Sequence, residues 1–326
     1  MRKRCHAPMA NVEMHADGMP ISILDGPAPG DGFLDPLHPY HEAARDGVSC
    51  TLCHQIEDDG NLGTLKGFSG HFTIAEHEVP ENRSAYGPVP WPRTNPMRAE
   101  ASFTPTYAPH IAGSALCATC HNLKTPYVDA RGETASGPPE TEFPEQVPYT
   151  EWENSSFGPG GVSERNCQSC HMPPAEGVRL ANRPRRLQRV DHFSRHVFVG
   201  ANTTMLDILD RNRDELGVTA TGFEEAIERN RDLLASAADI QVLDASLAAD
   251  ELLVRVKINN HSGHKLPTSF PSRRVWVHFV ARGPKGEVLF ESERLNPDGS
   301  IEAVSYTHLT LPTTCTPCRS RWGGER

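Results

Sequence analysis

The sequence predicts an α+β chain in three parts. Residues 1–200 form an irregular, mostly short-helix domain, residues 201–238 a helical connector, and residues 239–303 a truncated antiparallel β-sandwich. Three observations predict this. Pro and Gly break the first 200 residues every few positions, an apolar pattern of helical period follows, and an alternating apolar/charged pattern comes last.

The first part is poor in core-forming residues. The chain is 37% hydrophobic and 7% aromatic, with 28 Pro and 26 Gly in 326 residues. Gly137-Pro-Pro and Phe157-Gly-Pro-Gly-Gly161 read as loops, so few helices run long there. Something other than side-chain packing has to hold such a region together. In the connector, Thr221-Gly-Phe-Glu224 reads as a capping box. After it, Phe223, Ala226, Ile227, Leu233, Leu234 and Ala237 recur at helical spacing, and an earlier helix is expected near residues 204–216. From Asp239 the texture turns strand-like. Leu252-Leu-Val-Arg-Val-Lys-Ile258 and Arg274-Val-Trp-Val-His-Phe-Val280 alternate, and Gly283-Pro-Lys-Gly286 turns into a strand at 287–290.

The formal charge is −10, and the one basic block is Arg2-Lys3-Arg4. Phosphate binding needs a concentrated positive face, so nucleic acid is excluded as a partner. No run approaches the ~18 apolar residues of a transmembrane segment. Arg2-Lys3-Arg4 leads into Cys5-His6-Ala7-Pro8 and not into an apolar stretch, so no signal peptide is read here.

Nine Cys and 16 His carry the chemistry. Three segments share one pattern: Cys50-Thr-Leu-Cys53-His54, Cys117-Ala-Thr-Cys120-His121 and Cys167-Gln-Ser-Cys170-His171. Cys-x-x-Cys-His is the pattern of covalent c-type haem attachment. Two thiols add to the two vinyl groups of one porphyrin, and the next residue lies beneath the ring, where its imidazole binds iron. Zinc explains the pattern less well. A zinc ribbon closes from two CxxC pairs, so three pairs leave one unmatched, and zinc gives no reason for a His after every second Cys. A redox dithiol would need a βαβ setting that these surroundings do not offer. Residues 1–200 are therefore read as a multihaem cytochrome c domain with three covalent haems c, whose proximal ligands are His54, His121 and His171.

Eleven further His remain once His308, the three motif His and His6 are set aside. A haem that shuttles one electron with little rearrangement wants both axial positions filled. His41 lies nine residues before Cys50 and His110 seven before Cys117. Both are distal-ligand candidates, each serving a neighbouring haem rather than its own. Asp191-His192-Phe-Ser-Arg-His196 supplies two more, and His264, beside Lys265 on a loop between strands, is placed to reach the haem domain. Met9, Met14 and Met172 are weaker candidates.

Both ends read as non-native. Val304-Ser-Tyr-Thr-His-Leu-Thr-Leu-Pro-Thr-Thr314 resembles a translated sequencing adaptor, so residues 304–326, with Cys315 and Cys318, are set aside from fold and site reasoning. Cys5 is followed at once by His6, with Arg2 where the partner Cys belongs. Residues 1–4 are read as a false start inside a longer gene, and the parent is expected to carry at least four haems.

Several segments resemble those of bacterial multihaem cytochromes: Gly47-Val-Ser-Cys50 to His54, Leu116-Cys-Ala-Thr-Cys-His-Asn122, Tyr149-Thr-Glu-Trp152, Asn166-Cys-Gln-Ser-Cys-His-Met-Pro173, His196-Val-Phe-Val-Gly-Ala-Asn202 and Ser262-Gly-His264-Lys-Leu-Pro-Thr268, followed by Arg273-Arg-Val-Trp276. The resemblance runs through residues 5–303 and departs at both ends. It implies bis-His haems packed in a chain and adds His196 and His264 as ligands. The expected function is electron transfer with redox partner proteins or a quinol-linked donor. The rival is a multihaem oxidoreductase acting on a small nitrogen or sulfur compound, which needs one haem with an open distal site. Haem attachment and its reducing conditions lie outside the cytoplasm, so the expected location is the periplasm or cell exterior.

Overall fold

One-turn helices and two-stranded ladders carry most of this chain, as its spacing of Pro and Gly requires. A computed structural model describes residues 2–19, 28, 30–75, 79, 82–134, 138–180, 189–248 and 251–302. Met1 and the adaptor-like stretch with Cys315 and Cys318 lie outside the described residues. The haem-motif region runs α1 (Arg2–His6), α2 (Pro8–Ala16), α3 (His41–Arg45), α4 (Cys50–Cys53), β1 (Ser84–Gly87), α5 (Thr94–Ala101), β2 (Thr104–Tyr107), α6 (Ser114–His121), β3 (Leu123–Thr125), β4 (Phe143–Gln146), α7 (Pro148–Glu153), α8 (Cys167–His171), β5 (Pro174–Ala175) and β6 (Phe193–Ser194). A 3-10 turn, Pro109–Ala112, leads into α6. After these come α9 (Thr203–Arg211), α10 (Arg213–Leu216), α11 (Phe223–Ser236), β7 (Ala238–Ala248), β8 (Glu251–Asn260), β9 (Phe279–Arg282) and β10 (Val288–Ser292). The strands form five separate two-stranded sheets, of which β1–β2 is parallel and the others antiparallel. Among the described residues no helix is long and apolar enough to cross a membrane.

Side-chain cores are small. Ala7, Ala10, Met14, Phe33 and Ala44 form one, flanked by Tyr40 and Ala43. Phe68, Ala118 and Tyr149 form another, flanked by Leu65 and Trp152. Asn122 and Thr119 are among the most deeply buried side chains, so hydrogen bonding contributes as much to the interior around α6 as apolar packing does.

Three sequence expectations need correction. The capping box does not form. Gly222, in the left-handed region at φ 79°, is the residue before α11 and no side chain caps it, so Thr221 falls one position too early. Glu224 and Glu225 still occupy the first turn, where carboxylates complement the helix dipole. The single helix expected near 204–216 is two, because Asn212 leaves helical geometry between α9 and α10. In the last part, residues 274–278 are not a strand; the ladder opens at Phe279.

The sandwich is likewise unclosed. β7 and β8 form a ten-rung hairpin with a bulge between Val242 and Asp244, and β9–β10 form a second hairpin. Neither is hydrogen-bonded to the other. Val242, Leu247, Leu253 and Leu289 are about two-thirds exposed or more (65, 76, 68 and 67%). Alternation marks a face that needs cover; among the described residues nothing covers these.

Candidate functional site

Each cysteine pair sits on a single helical turn: Cys50 and Cys53 open and close α4, Cys117 and Cys120 lie in α6, and Cys167 and Cys170 in α8. Positions i and i+3 of a helix share a face, so both sulfurs of each pair point the same way. All seven described cysteines are free thiols. Asn166 caps α8, its side chain accepting from the Ser169 N–H at 2.9 Å. A rigid turn with two free sulfurs on one face and an imidazole next in sequence is the donor set a c-type haem requires.

Two of the motif histidines are held by the same device. The Tyr86 N–H donates to the His54 carbonyl at 2.7 Å, and His54 Nδ1 donates back to the Tyr86 carbonyl at 2.5 Å. Val199 does this for His171: its N–H meets the His171 carbonyl at 2.8 Å and its carbonyl takes His171 Nδ1 at 2.6 Å. A carbonyl oxygen only accepts, so each Nδ1 carries the hydrogen and the neutral ring has Nε2 as its free lone pair. Ligating imidazoles are oriented in this way.

Across from these rings stand two histidines from far along the chain. His54 and His196 have ring centres 6.1 Å apart with planes inclined by 29°. His171 and His264 are 6.2 Å apart and inclined by 17°. A histidine nitrogen lies about 2 Å from a bound metal and about 1 Å from its own ring centre, so two imidazoles on opposite sides of one metal have centres about 6 Å apart. The residues therefore fit a six-coordinate haem at both places. His264 Nδ1 donates to the Lys265 carbonyl at 3.1 Å, leaving its Nε2 free as well. Partial desolvation lowers the pKa of His264, and the protein beside the exposed His196, with His54 adding to it, lowers that of His196 as well. The His121 ring is open to solvent, yet the protein crowded around it lowers its pKa, with His171 and His6 adding to the effect.

The second and third motifs are fastened together. The Cys167 N–H donates to Ser114 Oγ at 3.0 Å, Asn166 Nδ2 to the Ala112 carbonyl at 2.8 Å, and Gln168 Nε2 to the Ile111 and Gly113 carbonyls at 3.2 and 3.0 Å. These bonds pin α8 to the start of α6. The Cys117 thiol is hydrogen-bonded to the Cys167 sulfur, which raises the pKa of Cys117 and lowers that of Cys167 to about 7. Cys120 contacts Cys5 in the same way, Cys5 being lowered and Cys120 raised. The loop before α6 in space follows suit: the Gly70 N–H meets the Thr119 carbonyl at 2.7 Å and the Ser69 N–H meets the Asn122 carbonyl at 3.1 Å. Among the described residues no three or more His, Cys, Asp or Glu converge as ligands of a bare metal ion.

The remaining candidates are scattered. His6 ends α1, exposed, next to Cys5. His41 lies in α3 with Nδ1 on the Phe33 carbonyl at 3.1 Å, so its Nε2 is free. His110 is turned the other way, Nε2 on the Ile56 carbonyl at 2.8 Å and its ring against Tyr86 at 5.4 Å. His192, at positive φ, pairs with Glu176 at 2.8 Å on the surface. Met14 is a core residue, while Met9 and Met172 are half-buried. Neither His41, His110 nor His192 is paired with a motif histidine as His196 and His264 are. Sequence reasoning passed over His71, which also ties Nδ1 to a carbonyl, that of Phe68, at 2.7 Å. The signal was Gly70, whose left-handed backbone abuts Arg4 and Cys5 of α1 and admits no side chain there.

No protein-family model matches the chain, and no curated protein sequence does. Among solved structures it is similar to a penta-heme cytochrome c552 from Thermochromatium tepidum, at 18% identity and a TM-score of 0.49, over 91% of this chain and 60% of that one. The chain thus spans about 60% of that protein's length.

Proposed function

We propose that this chain is an electron-transfer protein carrying three covalent haems c, at Cys50/Cys53, Cys117/Cys120 and Cys167/Cys170. One observation supports it above the others: two motif histidines each face a distant histidine at the separation a shared iron imposes, 6.1 and 6.2 Å. In this reading His54, His121 and His171 are the proximal ligands, and His196 and His264 the distal ligands at the first and third motifs. His41, His110, His192 and His6 remain candidates for other haems. Cys5, in contact with Cys120, marks a further haem position beside the second motif.

When bound, the haem iron supplies one-electron redox chemistry. The protein's part is to keep each iron in one geometry. Carbonyls of Tyr86, Val199 and Lys265 fix the imidazole orientation of His54, His171 and His264. Two fixed nitrogen donors leave no room for a substrate and little to rearrange, which suits a relay. Its partners are then redox proteins or a quinol-linked donor, and its place is the periplasm or the cell exterior. The test is expression with a haem-ligation system, followed by intact mass and by visible and electron-spin-resonance spectra. Low-spin signals that ignore added nitrite, hydroxylamine and carbon monoxide are expected. A high-spin haem that binds them would favour the oxidoreductase, and a zinc adduct without haem would overturn both.

A further inference from the structure

His264 belongs to the loop between β8 and β9, yet it faces a histidine on α8, nearly a hundred residues earlier. Something must seat that loop on the motif region. The Lys265 N–H donates to Glu151 Oε2 at 3.0 Å, and Thr268 Oγ1 donates to the same oxygen at 2.5 Å. Glu151 stands on α7, which is itself fixed to α6: the Asn122 amide donates to Thr150 Oγ1 at 2.9 Å, and its carbonyl oxygen accepts from the Thr150 N–H at 3.3 Å. Gly263 packs flat against Trp152 and Phe157, where a Cβ would come within 3.3 Å of the indole. Ser269 Oγ adds a bond to Gln146 at 3.1 Å. Inside the loop, Asn260 Nδ2 and Ser262 Oγ hold the His264 carbonyl at 2.8 and 2.7 Å.

One carboxylate oxygen thus receives donors from both sides of the Leu266–Pro267 bend. We infer that Glu151 is the positioning residue that seats His264, and so decides whether the haem at Cys167/Cys170 is closed to outside ligands. The inference rests on the proposed His171–His264 ligation. Glu151 touches neither imidazole. It acts by holding the loop, and any acceptor of its shape serves: Gln keeps an oxygen at the same reach, whereas Ala removes the acceptor that the Lys265 N–H and the Thr268 hydroxyl share.

The experiment compares Glu151→Ala, Glu151→Gln, Thr268→Val and His264→Ala in the haem-loaded chain. Intact mass gives the haem count, resonance spectra the spin state, and carbon monoxide titration the number of open irons. His264→Ala is expected to open one haem and bind one carbon monoxide per chain. Hydrogen bonds to a charged group are strong enough that losing both should raise the open fraction of the same haem roughly tenfold or more in Glu151→Ala. Thr268→Val should give a smaller rise, and Glu151→Gln should stay closed. Adding Glu151→Ala to His264→Ala should open nothing further. A Glu151→Ala protein that is fully low-spin and carbon monoxide-free, beside an opened His264→Ala, overturns the role of Glu151 and leaves the ligation intact. If Glu151→Ala is not recovered folded, a Thr268→Val protein indistinguishable from the parent has the same force. A His264→Ala protein that stays closed overturns the ligation, and with it the inference.

Discussion

Replacing His196 by Ala should open the haem at Cys50/Cys53 and leave the fold in place. The ring stands 6.1 Å from that of His54 and otherwise touches Phe193 and Phe198, at 6.0 and 5.9 Å between centres. Aromatic contacts of this kind contribute about 0.5–1.5 kcal/mol each. Because His196 and Phe198 are exposed, the low end applies, and the two together come to about 1 kcal/mol. That is small beside a domain stability of roughly 5–15 kcal/mol. Covalent attachment through Cys50 and Cys53 is untouched, so the haem count by intact mass should not change. One of the three haems should then become high-spin. Free imidazole, which matches the missing ring, should fill the gap and restore the low-spin signal, while methylimidazole bulkier at the ligating nitrogen should not. If the variant keeps its haems, stays low-spin throughout and ignores imidazole, the ring separation has been misread as a ligand pair.

The unsubstituted 326-residue chain should gain the mass of three haems, and Cys-to-Ser changes at any one motif should remove only one. Val199→Pro deletes the N–H that meets the His171 carbonyl and should cost about 1–3 kcal/mol, read as a lower urea midpoint, beyond the loss shown by Val199→Ala, which keeps both backbone bonds and gives up only buried methyls. Asp239 is held below the usual carboxylate range by His261 and then Asn259. A depressed folded pKa means stabilisation that is present above the unfolded value and lost as the pH falls through the folded one, so the base of the β7–β8 hairpin should loosen at acid pH. Amide exchange at His261, whose N–H meets the Ala237 carbonyl at 2.8 Å, should report this, and Asp239→Asn should abolish the acid dependence. Deleting residues 304–326 should leave haem content and spectra unchanged; loss of a haem, or metal bound at Cys315 and Cys318, would show that stretch to be functional.

What could be read in the sequence was whatever depends on local spacing. Cys-x-x-Cys-His needs one helical turn, and Cys50, Cys117 and Cys167 each begin or enter one. The long alternation at 252–258 became β8, and the Gly283–Gly286 turn became the β9–β10 hairpin. Chain proximity was a poor guide to pairing. His41 and His110 stand just upstream of motifs, but the residues facing His54 and His171 come from 142 and 93 positions later, brought there by hydrogen bonds that leave no periodic trace. Thr221 failed as a cap because Gly222 takes the left-handed turn before α11, a backbone choice that the capping pattern does not encode. The alternation at 274–280 overstated its strand because a ladder also needs a partner, and 274–278 has none among the described pairings.

The four residues from His196 to Val199 bear on two of the cysteine motifs at once. His196 faces His54 of the first motif, while Val199 clamps His171 of the third through both its backbone groups. Gly200, next along, is held by Asn230 of α11 at 2.8 Å. A strap so short cannot shift at one end and stay put at the other. The same strap makes its length matter. Inserting or deleting a single residue between His196 and Val199 would pull His196 away from His54 or Val199 away from His171.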